Sequence, residues 1–183
     1  MENSKFKENI FPALVLFCIC LGMALALAGI HSIAQPKIDA NQAKADNESR
    51  MLVLSEGDSF TPYDGKLSDG VVECYMADNK AGMVVTSEHK GFSGAVTVMT
   101  GIDANGAITG VTVTKHAETP GLGTKAAEPD YLAQYIGVTE ADKAHIRDDA
   151  NIDAISGATI TSNAVYGSVV KALKQFKECG GVK

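Results

Sequence analysis

The chain has 183 residues, 45% of them hydrophobic, with 16 basic and 22 acidic side chains, 4 cysteines and no tryptophan, a length that suits one ordinary domain with an appendage or two very small ones. A formal net charge of −6 with no Lys/Arg cluster excludes a nucleic-acid binder, because neutralising phosphates needs a concentrated cationic surface. Charged residues at 21% beside ample Val, Ile and Leu exclude a disordered chain.

Residues 1–9 read as a short polar tail. From Ile10 to Ile30 the sequence IFPALVLFCICLGMALALAGI runs for 21 residues without a charge. As a helix it is about 32 Å long, enough to cross a hydrocarbon core of roughly 30 Å. The expectation is a transmembrane anchor over residues 10–33, embedded in membrane lipid, with Pro12 tolerated in its first turn. Ala24-Leu25-Ala26 and Ala26-Leu27-Ala28 have the small-residue spacing of a signal-peptide cleavage site. Phe17 and Ile19 ahead of Cys18 and Cys20 argue against a lipoprotein signal. The reading adopted is an uncleaved single span. Lys5 and Lys7 on one side face Lys37, Lys44 and Arg50 on the other, so the positive-inside count does not choose an orientation.

Residues 34–54 are polar and read as a stalk, helical from Lys37 onward; residues 55–183 form the domain proper. Thr61-Pro62-Tyr63-Asp64-Gly65 and Ser68-Asp69-Gly70 are turn signals. VVECYMA, AGMVVTSEH and GFSGAVTVMTGI are short Val-, Thr- and Met-rich runs that predict strands. In AVTVMTGIDANGAITGVTVTKH, Asn105-Gly106 closes an antiparallel hairpin, with Val96, Val98 and Ile102 before it and Ile108, Val111 and Val113 after. Moderate helix is expected around Tyr131–Ile136 and Asp142–Arg147. The strongest helix signal is terminal: Val165, Val169, Ala172, Leu173 and Phe176 recur at spacings of three and four, with Thr161 or Ser162 as cap and Gly180 as stop. The predicted class is α+β, a twisted antiparallel sheet with flanking helices.

Cys18 and Cys20 sit in the apolar run as small hydrophobes. Cys74 and Cys179, 105 positions apart, are open to pairing in an oxidising compartment. No CxxC or zinc spacing occurs, so two unpaired packing residues is the reading adopted. His31, His89 and His145 lack neighbours at ligand spacing, and no metal is assigned.

Two segments carry chemistry. Ahead of the terminal helix lies Asp153-Ala154-Ile155-Ser156-Gly157-Ala158-Thr159-Ile160-Thr161-Ser162. Small residues Ser156, Gly157 and Ala158 allow close approach to a bulky group. Thr159 places a hydroxyl by the free N–H groups of a helix start, a setting that favours phosphate. From residue types alone, a plain capped turn is the competing account. Earlier, His116-Ala117-Glu118-Thr119-Pro120-Gly121-Leu122-Gly123 is a tight loop whose bare backbone could lie against a flat ring; an ordinary strand-ending turn is its competitor.

D-x-x-S-G-A-T followed by ITSNAV, with H-x-E-T-P-G-L-G starting 43 residues before Thr159, resembles the flavinylated domain found in the G component of Rnf complexes and in the related C component of the sodium-pumping NADH:quinone reductase. The resemblance covers essentially the whole chain. It implies FMN joined through its phosphate to Thr159, with Ser156, Gly157, Ala158 and Thr161 and the loop residues His116, Glu118, Thr119, Gly121, Leu122 and Gly123 around the cofactor. Asp153 would belong to the signal read by a flavin transferase that uses FAD and a divalent metal. The implied function is electron transfer within an ion-translocating ferredoxin:NAD oxidoreductase, without independent turnover. Other Rnf subunits are the implied partners, and the soluble domain is expected on the extracellular or periplasmic side of the cell membrane. A quinone-reductase-type component, a stand-alone extracellular flavoprotein and a non-redox tethered binding module remain alternatives.

Overall fold

The computed structural model describes residues 2–181, with side chains from Phe11 onward, in two compact units, Met1–Asp46 and Asn47–Lys183. The first unit is the greater part of helix α1, Glu2–Val53. Phe11, Leu16, Phe17, Met23, Leu25 and Ile30 are all exposed on it. Among the described residues it is the one helix long and apolar enough to cross a membrane, with a mean hydropathy of 2.7 over its best window and none of that window buried. A helix apolar on every side and uncovered by protein is what lipid requires. α1 begins ahead of the apolar run, so Pro12 and Pro36 are both interior rather than first-turn or boundary residues. Each removes one intrahelical bond. Around and beyond Pro36, Gln35 to Asp39 at 2.8 Å and Gln42 to Asp46 at 2.9 Å add side-chain bonds four residues apart.

The second unit takes in the end of α1 and a five-stranded antiparallel meander, β1 Phe60–Pro62, β2 Val71–Ala77, β3 Gly82–Lys90, β4 Ala95–Asp103 and β5 Ile108–Lys115, in spatial order β1-β2-β3-β4-β5. The expected hairpin pairs β4 with β5, Val98 opposite Val113 and Ile102 opposite Ile108. Alternation sends side chains to two faces. Met83, Val85, Val96, Val98, Ile102 and Ile108 meet the helix α3, Thr159–Glu178, through Val165, Val169, Ala172, Leu173 and Phe176. Val84 and Met99 face the other way and meet Val53 and Leu54.

That second face explains why residues read as stalk are core. Val53 and Leu54 are 2% and 0% exposed. Gly101 and Gly110 are neighbours across β4 and β5, and a Cβ on either would run into the Val53 backbone; two bare positions make the saddle on which the helix end rests. Thr109 Oγ1 donates to the Val53 carbonyl at 2.5 Å. Arg50 lies 3.7 Å over the Tyr75 ring and pairs with Glu73 at 3.5 Å.

Between β5 and α3 the chain is irregular. It holds a 3-10 turn Gly123–Ala127, a short α2 Pro129–Leu132 running into a 3-10 turn Ala133–Tyr135, and a last 3-10 turn Ile146–Asp148. Helix expected over Asp142–Arg147 is thus reduced to one turn at its end. Local hydrogen bonds explain it: Lys143 N–H donates to the Tyr166 hydroxyl and Ile146 N–H to the Asn163 side chain, so backbone donors bind α3 instead of each other.

Candidate functional site

The loop after β5 and the loop before α3 come together at the amino end of α3. Glu118 is the joint. It is buried at 6% exposure, accepting from Thr161 Oγ1 at 2.6 Å and from Ser93 N–H at 3.0 Å. Burial pushes its carboxyl upward. Hydrogen bonds from the Thr161 hydroxyl and the Ser93 and Phe92 N–H groups outweigh that and hold it below the usual carboxylate range. The first motif, the second motif and the β3–β4 turn are therefore tied by one ionised group.

Thr161 and Ser162 do not cap α3, contrary to the sequence expectation. The helix starts at Thr159 with Ala158 at the cap position and no side-chain cap bond. Thr161 is drawn to Glu118, and Ser162 Oγ accepts from Ile155 N–H at 3.0 Å, which folds the SGAT loop back on the helix. Gly157, at φ +82°, makes the reversal, a left-handed conformation that costs other residues about 1 kcal/mol.

Two adjoining clefts result, one of about 340 Å³ and one of about 560 Å³, and both are lined by Arg147, Thr159 and Ile160. The smaller also has Phe92, Glu118, Thr119, Leu122, Gly123, Gly157, Ala158 and Thr161 in its wall. The larger adds Lys90 and His145. Thr159 is half-buried on the ridge between them, and Arg147 Nη2 donates to its Oγ1 at 3.1 Å. Phe92, Leu122 and Ile160 present exposed apolar surface around it.

Of the residues expected at the site, Glu118, Thr119, Leu122, Gly123, Gly157, Ala158, Thr159 and Thr161 share this wall. His116, Gly121 and Ser156 are exposed and outside it. His116 Nδ1 instead accepts from Glu118 N–H at 3.4 Å, and Gly121 N–H donates to Thr124 Oγ1 at 2.9 Å, so both shape the loop. Asp153 is exposed, its N–H donating to Gln134 at 2.8 Å. Phe92 and Arg147 are lining residues that the sequence reading missed. Arg147 had one available signal: it is one of two arginines in a chain whose other basic residues are lysines.

The donors and surfaces fit FMN: an apolar-edged slot for a ring, a hydroxyl, a guanidinium against that hydroxyl, and a helix start without a side-chain cap. Residues 91–174 match the FMN-binding domain family. The G component of the ion-translocating oxidoreductase complex of Methanosarcina acetivorans is 31% identical over 182 residues, spanning 94% of this chain and 96% of that one. Its counterpart in the proton-translocating ferredoxin:NAD(+) oxidoreductase complex of Clostridium ljungdahlii is 28% identical over 100% of both chains. Among solved structures, the Shewanella oneidensis NqrC crystal structure aligns with a TM-score of 0.47 at 23% identity over 57% of each chain.

Proposed function

The chain belongs to the family of G components of ion-translocating oxidoreductase (Rnf) complexes, and from that premise we propose that it is their membrane-anchored electron-transfer subunit, carrying FMN esterified to Thr159. FMN binding and membership of an Rnf assembly follow the family; the covalent link is the finer part of the proposal. The observation that supports it is the position of the Thr159 hydroxyl on the ridge between two clefts, with Arg147 at 3.1 Å.

When bound, FMN supplies one- and two-electron redox chemistry. The residues here do the rest. Thr159 Oγ1 would form the bond to phosphorus during maturation, losing its proton while AMP leaves from FAD on the transferase. Arg147 supplies positive charge against the phosphodiester, where a neutral neighbour would leave the anion unpaired. Phe92, Leu122 and Ile160 offer apolar faces to a flat ring, and Glu118 keeps both loops fixed around it. A covalent tether keeps the ring at high local concentration beside its redox partners and prevents its loss. We place the second unit on the extracellular or periplasmic side, where lost FMN could not be replaced; cleavage by protease added to intact cells tests that side. His116, Gly121 and Ser156 act through loop shape, and Asp153 on the open surface is the transferase's recognition residue.

With the transferase co-expressed, Thr159→Ala is expected to abolish in-gel flavin fluorescence and the FMN mass increment. Retention of both moves the attachment elsewhere. Co-purification with the other Rnf subunits separates this reading from a quinone-reductase component or a stand-alone flavoprotein. A colourless product from the wild-type chain with transferase present would point to a non-redox module.

A further inference from the structure

Two cysteines far from the cleft belong to one core cluster. Cys74 is the fourth residue of β2 and 4% exposed. Cys179 follows α3 as its C-cap residue, half-buried against the same core. Both are free thiols, and Cys179 and Tyr63 pack against the core cluster that contains Cys74.

The surrounding segment holds both cysteine backbones in place. Tyr63 N–H donates to the Cys74 carbonyl at 2.8 Å. Five residues on, Ser68 N–H donates to Gln175 Oε1 at 2.6 Å and Ser68 Oγ to Glu178 at 2.7 Å. Gln175 Nε2 reaches the Lys66 carbonyl at 3.2 Å and Cys179 Sγ at 3.0 Å. The strap over residues 63–68 thus binds the strand bearing one thiol and the last turn of the helix bearing the other. Nothing in the flavin chemistry uses either sulfur. Thr159 and Cys179 bracket the 20 residues of α3, about 30 Å at the helical rise, too far for the pair to exchange electrons directly with a ring at Thr159.

We propose that Cys74 and Cys179 are a dithiol that closes to a disulfide, locking the carboxyl end of α3 onto β2. The oxidant is a small-molecule disulfide. Cys179, the more exposed thiol, attacks one of its sulfurs as thiolate, forming a mixed disulfide and releasing one small thiol. Cys74 then attacks Cys179 Sγ, the protein disulfide forms and a second small thiol leaves. Two electrons pass from the protein thiols to the oxidant, and their two protons end on the released thiols. Burial, with Cys179 alongside, pushes the Cys74 thiol up to about 12. Cys74 is accordingly the resolving partner and not the first attacker.

The test uses the full chain in detergent, incubated with oxidised glutathione, denatured, alkylated with iodoacetamide and mapped as unreduced peptides. Expected are a linked Cys74–Cys179 peptide, an intact mass lower by two hydrogens, alkylation confined to Cys18 and Cys20, and a Tm higher by roughly 10 °C that dithiothreitol reverses. Cys74→Ala and Cys179→Ala should each lose the shift, and Cys18→Ala should keep it. The proposal is overturned if Cys74 is alkylated while Cys179 holds a stable glutathione adduct, or if both are alkylated. A linked peptide with an unchanged Tm overturns the locking role. Mapping the wild-type chain decides the linkage even if a variant does not fold.

Discussion

Glu118 is one carboxylate serving three segments, so its ionisation is part of the fold. A carboxyl held low in the folded state contributes stability that is complete above its unfolded value, near 4.3. That contribution is lost as the pH falls through the lower folded value. Glu118→Gln is expected to cost about 1–3 kcal/mol at pH 7. The gap to wild type should narrow in urea titrations repeated at progressively lower pH below about 4.3. Arg147 is exposed and its effect should be chemical: Arg147→Gln is expected to lower the flavinylated fraction several-fold, read by intact mass, while stability stays within about 0.5 kcal/mol. The two motif loops were legible because each is a contiguous string. Phe92 and Arg147 were not, because folding delivers them from segments that carry no string of their own, and a lone Arg beside Asp148 and Asp149 looks like solvated surface.

Among the elements, α3 and the β4–β5 hairpin were plain in the sequence. Their signals are a three-and-four apolar repeat and an Asn-Gly turn, both local. What was missed is what distant partners decide. β1 contains Pro62 and reads as a turn, yet Phe60 pairs opposite Ala77 and Thr61 opposite Met76. As an edge strand it has room for a proline. Asp78 holds that edge by accepting from Ser59 Oγ at 2.7 Å and Thr61 Oγ1 at 2.6 Å. The docking of the end of α1 was equally hidden, since nothing in Arg50 to Leu54 announces that Gly101 and Gly110 lie opposite. Gly101→Ala places a methyl against the Val53 backbone. A loss of about 1–3 kcal/mol is expected, measurable by denaturant unfolding of the second unit.

For the molecule as a whole, where the second unit starts governs whether it folds. A chain beginning at Asn47 keeps Arg50, Val53 and Leu54 in place; one beginning at Ser55 strips two large side chains from the Met99 face of the sheet. The shorter version is expected to lose several kcal/mol, at about 2–5 kcal/mol for each large apolar side chain removed, and to aggregate or unfold at lower urea. Comparing urea midpoints of the two soluble fragments checks this. The class and the long apolar helix were readable from residue order, because an uncharged run and Val- and Thr-rich strands between turn residues are local patterns. The docking of Val53 and Leu54 on the sheet of the second unit was not, because polar residues on the approach to Val53 look the same whether the helix they build ends in water or on a sheet.

Thr159 heads a helix whose inner face is already sealed by Ala164, Val165 and Tyr166, while the threonine itself stays half open to solvent. On the proposed attachment, a modifying enzyme would meet a threonine presented by a packed helix and not by an extended strand. Urea unfolding of Thr159→Ala should then match that of the unmodified wild-type chain to within about 0.5 kcal/mol.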